Sequence, residues 1–183
     1  MSNILKMSFR LLFKIVVVGD GGVGKSTMIQ RLTTGYFIPM KITIGTDLLS
    51  YDVPISDSEK AKLQIWDFGG EKRFRFFLPN YCRGATGCLL CYDITRFKSL
   101  DSLEEWYNIV KNIAKDPVFA LVGCKKDLAE EKRVIECDQA KNFKNKYNID
   151  HFFECSSKTG ENIKDIFEIL TKAIIERSKL MID

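Results

Sequence analysis

A glycine-rich loop at residues 19–27, GDGGVGKST, is the feature that most constrains how this chain folds. It follows the apolar run FKIVVV at 13–18 and precedes Met28, Ile29 and Leu32, which share one face of a predicted helix. A strand, Gly-x-x-x-x-Gly-Lys-Ser and a helix in this order form the P-loop pattern. Glycines allow positive φ angles and bring several backbone N–H groups onto one anion, to which the helix N-terminus adds its partial positive charge. The pattern therefore predicts a phosphate-binding loop within an α/β fold.

Six strand-like runs alternate with helical patterns along the chain. Several runs are apolar without alternation, as expected of parallel strands that are covered on both faces. The polar connection SDSE at 56–59 predicts a hairpin, so one edge strand should be antiparallel. Alternating βα units predict a three-layer sandwich in a single domain over 1–183, with 1–8 as a flexible extension. The predicted strands span 13–18, 48–55, 61–68, 87–94, 118–124 and 151–155.

Composition limits the classes of protein that remain. Hydrophobic residues make up 45% of 183 residues and charged residues 28%, which is typical of a globular domain. The formal net charge of +4 is mild and demands neither a nucleic acid nor an anionic membrane, although it excludes neither. We expect a monomer without a nucleic-acid partner. The six cysteines are expected to be thiols, because most follow strand-like runs and CLLC at 88–91 would point its two cysteines to opposite faces.

The predicted localisation rests on three kinds of signal that the sequence does not show: a membrane span, a signal peptide and a lipidation site. No run of 18 apolar residues is present to span a membrane, and the first residues show no signal-peptide cleavage region. Ser2 does not fit myristoylation, and the last residues hold no cysteine for prenylation. We therefore expect a cytoplasmic protein. Peripheral membrane contact stays open through the apolar residues Ile4, Leu5, Met7 and Phe9, although extension of the first strand is the simpler expectation.

The P-loop assigns separate roles to the residues around a polyphosphate. Lys25 would reach the β and γ phosphates, and the hydroxyl of Ser26 would ligate Mg²⁺. The backbone N–H of Thr27 would meet the α phosphate. The alternative is a glycine-rich turn without a ligand. The loop residues expected to surround the phosphates are Gly21, Gly22, Val23 and Gly24.

Two further segments complete the predicted metal and γ-phosphate site. In WDFGGE at 66–71, Asp67 ends a strand and would hold Mg²⁺ through a water molecule, while the N–H of Gly70 would contact the γ phosphate. In KITIGTD at 41–47, Thr43 would add its hydroxyl to the metal and its N–H to the γ phosphate. Loss of that phosphate would release both segments. The alternatives are a solvated strand-end Asp67 and a Thr43 that only fills a strand.

Polar loops after the last two strands predict recognition of a base. In GCKKDL at 123–128, Asp127 would accept hydrogen bonds from N1–H and the amine of guanine, which adenine does not offer. Lys125 would lay its stem over the base. In CSSKTG, Ser156 is expected to be part of the nucleotide site, the N–H of Ser157 would meet guanine O6, and Lys158 would support the ring. The alternative for each is an ordinary polar loop.

Together these motifs resemble the Ras superfamily of small GTPases over essentially the whole chain. YCRGATGCLLCYDITRFKSL and SSKTGENI are most similar to the Rab branch, whereas WDFGG and the interval from Ser26 to Thr43 are similar to Arf proteins. The resemblance implies a six-stranded mixed sheet with five helices and two switch segments, roughly 35–47 and 68–79. It also places the ring of Phe37 beside guanine.

Two positions depart from the family pattern. Cys124 stands where the family has an Asn, whose amide donates to guanine N7 and ties this loop to the P-loop. Losing one or two such bonds costs about 1–3 kcal/mol, so we expect weaker or faster-exchanging nucleotide, with the guanine preference kept by Asp127. Glu71 stands where the family has a water-orienting Gln. A carboxylate donates no N–H and repels the γ phosphate, so intrinsic hydrolysis should be slow.

The resemblance implies a switch that binds GTP and GDP with Mg²⁺ and hydrolyses GTP, using Lys25, Thr43, Gly70 and Glu71. Two other functions stay open: a GTP-binding scaffold without useful hydrolysis, and a P-loop enzyme such as a small-molecule kinase, although neither a lid nor an acceptor site is recognisable. An exchange factor, a GTPase-activating protein and an effector would act at the switches.

Side chains near the switches carry further expectations. Trp66 and Tyr81 match the family's aromatic effector cluster, in which Leu48 replaces a Phe, although Trp66 could instead be core. No arginine finger is recognisable within the chain. Arg73 and Arg75 are expected to be solvated surface residues.

Overall fold

The structure, a computed structural model, describes residues 11–71 and 75–180. Strands and helices alternate as the sequence predicts, and the observed strands match the predicted runs to within a few residues. The strands are β1 (Leu11–Val18), β2 (Thr46–Pro54), β3 (Lys60–Phe68), β4 (Gly87–Asp93), β5 (Val118–Cys124) and β6 (His151–Glu154). The helical segments are α1 (Lys25–Thr34), α2 (Leu78–Cys82), α3 (Lys98–Asp101), α4 (Leu103–Ile113), α5 (Ala129–Lys132), α6 (Cys137–Lys146) and α7 (Ile163–Leu180).

The six strands form one sheet in the order β2-β3-β1-β4-β5-β6. Only the pair β2 and β3 is antiparallel within the described ranges, which confirms the predicted hairpin. In the turn between β2 and β3, Ile55 N donates to Glu59 O at 2.9 Å. The carboxyl ends of the parallel strands β1, β3, β4, β5 and β6 therefore meet along one edge of the sheet, where a ligand site is expected in such folds.

Apolar side chains cover both faces of the sheet. Along β1, Ile15 and Val17 belong to one core cluster while Val16 and Val18 belong to the other, because successive strand residues point to opposite faces. Helices α1 and α7 pack on the first face, and α2, α4 and α6 on the second. This arrangement confirms the predicted three-layer sandwich.

The cysteines behave as predicted. Cys88 lies in one core cluster and Cys91 in the other, as the strand spacing requires. All six cysteines are free thiols. Their burial in an apolar core, five of the six being buried, agrees with a packing role.

Seven α-helical segments and a short 3-10 turn at Lys126–Leu128 occur in the part of the chain that the structure describes, and the α-helical segments correspond to the five predicted helices. Only Ser102 separates α3 from α4, so these two segments form one interrupted helix, and α5 is a single turn of four residues. No helix among the described residues is long and apolar enough to cross a membrane. The expectations for residues 1–8 and for Arg73 lie outside the described residues.

Candidate functional site

A cavity of about 340 Å³ lies at the edge of the sheet where the parallel strands end. The P-loop, the segment before β2 and the loops after β5 and β6 line it. Of the predicted site residues, Val23, Asp67 and Ser156 are buried beside the cavity and Glu71 lies in the turn after β3. The predicted residues that line the cavity are Gly21, Gly22, Gly24, Lys25, Ser26, Thr27, Phe37, Thr43, Gly70, Cys124, Lys125, Asp127, Ser157 and Lys158.

The P-loop needs its glycines for two physical reasons. Gly22 and Gly24 have φ angles of 72° and 114°, in the region that L side chains rarely adopt. At Gly19, a Cβ atom would lie 2.1 Å from the carbonyl oxygen of Cys91, so no side chain fits there. The loop then enters α1 at Lys25, so its N–H groups and the helix N-terminus face the cavity together.

Lys25 is held inside the curve of this loop. Its side chain is buried, and Nζ donates to Gly19 O at 2.7 Å and to Asp20 O at 3.0 Å. Burial lowers the pKa of the Lys25 ammonium, and the nearby carboxyl of Asp67 opposes that shift. A cation fixed at this position complements a phosphate in the cavity.

The three predicted metal ligands converge beside Lys25. Ser26 Oγ lies 2.6 Å from Thr43 Oγ1, and it also donates to Asp67 Oδ2 in a short hydrogen bond. Asp67 Oδ1 is buried and has no hydrogen-bond partner among the described residues. Burial raises the pKa of the Asp67 carboxyl to about 6, against the opposing hydrogen bond from Ser26. Hard oxygen donors of this kind, one of them unpaired, fit Mg²⁺.

The turn after β3 packs directly on the P-loop. A Cβ atom at Gly70 would lie 2.1 Å from Gly21 N, so only glycine allows this close approach. The neighbouring Gly69 donates its N–H to Gly45 O at 2.8 Å. The two predicted switch segments are therefore joined to each other and to the P-loop.

The loops after β5 and β6 are also joined. Lys126 N donates to Cys155 O at 3.0 Å, and Ser156 Oγ donates to Asp127 Oδ1 at 2.6 Å. Ser156 is fully buried, so it orients Asp127 and does not line the cavity itself. Cys124 is also buried, at 2% exposure, and lies against Gly24 of the P-loop.

The structure contradicts the expectation that Arg75 is a solvated surface residue. Its side chain is only 11% exposed and donates to Asp20 Oδ1 at 2.9 Å. It also pairs with Glu105 and stacks over the ring of Trp106, 4.5 Å from the ring centroid. Asp20 additionally accepts hydrogen bonds from Ser102 Oγ and Trp106 Nε1. Arg75 thus joins the second switch segment to the P-loop and α4.

Sequence reasoning also missed Asp93 and Arg96, which follow β4. Asp93 is buried and contacts Lys125 Nζ at 2.6 Å, while Arg96 Nη2 donates to Gly21 O at 2.9 Å. The signal that could have found Asp93 is its position at the carboxyl end of a parallel strand, the same signal that identified Asp67. Arg96 lies in the loop that follows and carries no comparable signal. Further cavity residues that the sequence did not single out are Pro39, Met40, Lys41, Ile42, Phe68 and Leu128.

The aromatic residues near the switches lie together. The ring centroids of Trp66 and Tyr81 are 5.4 Å apart, and Leu48 pairs with Trp66 across the hairpin. Leu48 is 54% exposed, whereas both aromatic rings are partly buried. The predicted cluster therefore exists as a surface feature, with Trp66 partly in the core.

The fold and this site define a P-loop protein of the α/β class. The family model described as the Ras family matches residues 14–176. The chain is 39% identical over 168 residues to the Ras-related protein Rab-5B of Plasmodium falciparum (isolate 3D7), which covers 91% of this chain and 79% of that protein. It is 37% identical over 174 residues to the Ras-related protein RABE1e of Arabidopsis thaliana (94% and 79%) and 38% identical over 173 residues to human Rab-30 (93% and 84%).

The chain therefore belongs to the Ras family, and within it to the Rab-like small GTPases. Members of this family bind guanine nucleotides, hydrolyse GTP in general, and act with regulatory proteins. This family assignment agrees with the sheet order and with the position of the cavity.

Proposed function

We propose that this protein is a guanine-nucleotide switch that binds GTP or GDP with Mg²⁺ and hydrolyses GTP slowly without a partner. One observation carries the proposal. A single cavity holds a buried cation beside converging hydroxyl and carboxyl oxygens at one end, and a carboxylate oriented by a buried serine at the other. These ends match the chemistry of a polyphosphate and of guanine.

At the phosphate end, Lys25 would neutralise the β and γ phosphates while the backbone from Gly21 to Thr27 donates N–H groups. Ser26 and Thr43 would hold Mg²⁺ through their hydroxyl groups, and Asp67 would hold it through a water molecule. The bound ion would neutralise charge on the phosphates. The unpaired Asp67 Oδ1 supports this assignment, because a buried carboxylate oxygen without a partner is costly.

At the guanine end, Asp127 would accept hydrogen bonds from N1–H and the exocyclic amine. The bond from Ser156 occupies one side of its Oδ1 and orients the carboxylate toward the cavity. Adenine would leave this carboxylate without a donor, which is a strong basis for discrimination. Lys125 and Phe37 would flank the base, with Lys158 in support and the N–H of Ser157 at O6.

Switching would depend on Thr43 and Gly70. Both line the cavity, and both lie on segments joined by the Gly69 to Gly45 hydrogen bond. Loss of the γ phosphate would remove a bond from each segment, so the two segments would be released together.

Hydrolysis would rest on positioning water beside the γ phosphate. Glu71 follows Gly70 in the turn that packs on the P-loop. As a carboxylate it can accept a proton from water but donates no N–H, and its charge repels the γ phosphate. We expect slow intrinsic hydrolysis for this reason. The second candidate function, a GTP-binding scaffold without useful hydrolysis, is favoured by Glu71 together with the thiol at Cys124.

Partner proteins would act at the switch surface. In the first switch segment, Ile42 and Ile44 are 68% and 75% exposed, and Phe76 in the second is 81% exposed. Several large apolar side chains exposed near one another indicate a surface that contacts other proteins. We propose an exchange factor, a GTPase-activating protein and an effector as partners of a monomeric cytoplasmic protein that binds no nucleic acid. Its membrane contact would be peripheral.

The first experiment identifies the nucleotide that copurifies with the protein by ion-pair chromatography. A competition of GDP against ADP then measures the base preference, and equal binding would contradict the role of Asp127. Single-turnover phosphate release from GTP-loaded protein measures hydrolysis, with free GTP in the same buffer as background. Release at the background rate from protein that still holds GTP would favour the scaffold function over the switch.

A further inference from the structure

Position 124 faces the P-loop but does not bind it strongly. The Cβ atom of Cys124 lies 3.5 Å from the point that a Cβ on Gly24 would occupy, and its Sγ lies 3.9 Å from the same point. A thiol is a weak hydrogen-bond donor, and the contact that Sγ makes to Val122 O is 4.0 Å long and within the same strand. Residues 123–128, here called the guanine-binding loop, therefore have no strong direct bond to the P-loop at position 124.

Asp93 and Arg96 provide a continuous polar connection between these two loops. Arg96 Nη2 donates to Gly21 O at 2.9 Å, and Arg96 Nε lies 3.3 Å from Asp93 Oδ2. The same Asp93 oxygen accepts from Lys125 Nζ at 2.6 Å. Three charge-assisted contacts thus run from the P-loop to the guanine-binding loop, and contacts of this kind are about twice as strong as neutral hydrogen bonds.

The connection is held in place by contacts within the protein. The side chain of Asp93 is 1% exposed, and its Oδ1 accepts from Thr95 N at 2.9 Å and from Thr95 Oγ1 at 2.7 Å. Burial is the largest single influence on the pKa of Asp93 and would raise it, but hydrogen bonds from Lys125 and Thr95 together keep that pKa below its usual value. Asp93 is therefore a carboxylate at neutral pH, which both cations require.

The backbone that carries Arg96 is equally constrained. Ser99 is buried, accepts from Asp93 N at 3.0 Å, and donates to Arg96 O at 2.6 Å. These bonds restrain the backbone from 93 to 99, so little backbone freedom is lost when Arg96 contacts Gly21. The side chain of Arg96 is 45% exposed, however, so solvent screening limits its contribution.

We propose that Arg96 is a positioning residue that, through Asp93, couples the P-loop to the guanine-binding loop and slows nucleotide release, in place of a direct bond from position 124. The proposal rests on the proposed function. It does not require Arg96 to touch the nucleotide, because the guanidinium acts on the Gly21 carbonyl and on Asp93. It also predicts that an amide at position 124 makes Arg96 partly redundant.

The test measures release of a fluorescent GDP analogue by stopped flow for R96M, C124N and the double variant. We expect R96M to release the analogue about 10-fold faster than the natural chain. The double variant should release it less than about 3-fold faster than C124N alone. R96K keeps one charged contact, so its release rate should lie between those of the natural chain and R96M.

Arg177 offers a matched control far from the cavity. Its Nη1 donates to Pro117 O at 3.0 Å and its Nη2 pairs with Asp150, so it too joins a carbonyl to a carboxylate. R177M should change release by less than about 2-fold. Thermal unfolding of all variants separates a loss of stability from a loss of coupling.

Two results would overturn the proposal while leaving the proposed function intact. One is an equal change in the rate of GDP release for R96M and R177M. The other is an R96M effect of the same size with and without C124N, since Arg96 would then act independently of position 124. Failure of the proposed function would appear earlier, as a natural chain that does not retain GDP in competition with ADP.

Discussion

The two ends of the cavity are built differently. At the phosphate end, Lys25 and Asp67 are buried and the P-loop backbone allows no side chain at Gly19. At the guanine end, the side chain of Lys125 is 37% exposed and is held by one ion pair, and a thiol occupies position 124. Backbone geometry and buried charge therefore shape one end, while side-chain contacts that reach the solvent shape the other.

This difference indicates where substitutions should have large effects. Buried charges with several fixed partners interact strongly, whereas exposed ion pairs are screened by solvent. Removing a buried charge at the phosphate end should abolish binding, and changes at the guanine end should tune its strength and selectivity. Four predictions test this contrast.

The largest effect is expected for Lys25→Met. This change removes the buried ammonium that faces the phosphates, and losing several charge-assisted bonds should weaken GTP binding by about 100-fold or more. Isothermal titration of nucleotide-free protein measures the loss. The control is Lys14→Met, because Lys14 also donates to a carbonyl, Arg83 O at 3.0 Å, but lies outside the cavity. A GTP dissociation constant within 10-fold of the natural one would contradict the assigned role of Lys25.

Asp127→Asn should have the next largest effect and should act on selectivity. The amide cannot accept from both guanine donors, so GDP affinity should fall by about 30- to 100-fold while ADP affinity stays near its original value. Competition titrations with both nucleotides give the ratio. Asp138→Asn, at a carboxylate that is 90% exposed on α6, is the control. If GDP and ADP weakened equally, Asp127 would be acting on the shape of the loop and not on the base.

Cys124→Asn should tighten binding. An amide at this buried position can bond the base and the P-loop, so we expect GDP affinity to rise about 10-fold, mainly through slower release. Cys124→Ser separates polarity from reach, because a hydroxyl is too short to bond both and should give less than about 3-fold. Equal gains from both substitutions would show that the polarity of position 124, and not the amide, matters.

The smallest effect is expected for Glu71→Gln at the phosphate end. Removing the charge and adding an N–H donor should speed single-turnover hydrolysis by about 5- to 10-fold, because water is then oriented without repulsion of the γ phosphate. Glu71→Ala removes the charge without adding a donor and should give a smaller gain. Slower hydrolysis with Gln would mean that the carboxylate accepts a proton from water in this protein.

Much of the fold and of the site could be predicted from local patterns. Strand ends were located to within a few residues because apolar runs and glycines are local signals. The positions of Ser26 at the start of α1 and Asp67 near the end of β3 predict that these residues meet, whereas Thr43 lies in the polar stretch before β2. The structure places Ser26 in contact with both Thr43 and Asp67. The role of Ser156 was only partly predicted, since it orients Asp127 from beneath the cavity.

The arginines were the clearest failure of sequence reasoning. Arg75 was expected on the surface, yet it contacts Asp20, Glu105 and Trp106. Arg96 carried no recognised signal. Long charged side chains can extend in many directions, and burial of their stems leaves no periodic trace in the sequence. Their partners lie on other elements, so the contacts appear only once the sheet has assembled.

The sequence by itself determined the P-loop, the order of strands and helices, and the polar residues at the strand ends. These depend on backbone conformation and on periodic burial, which neighbouring residues specify. Only the tertiary structure decided how the loops are joined, by Arg75 to Asp20 and by Arg96 and Asp93 to Lys125. Such contacts link residues as far apart as Asp20 and Trp106, whose proximity depends on the packing of whole helices against the sheet.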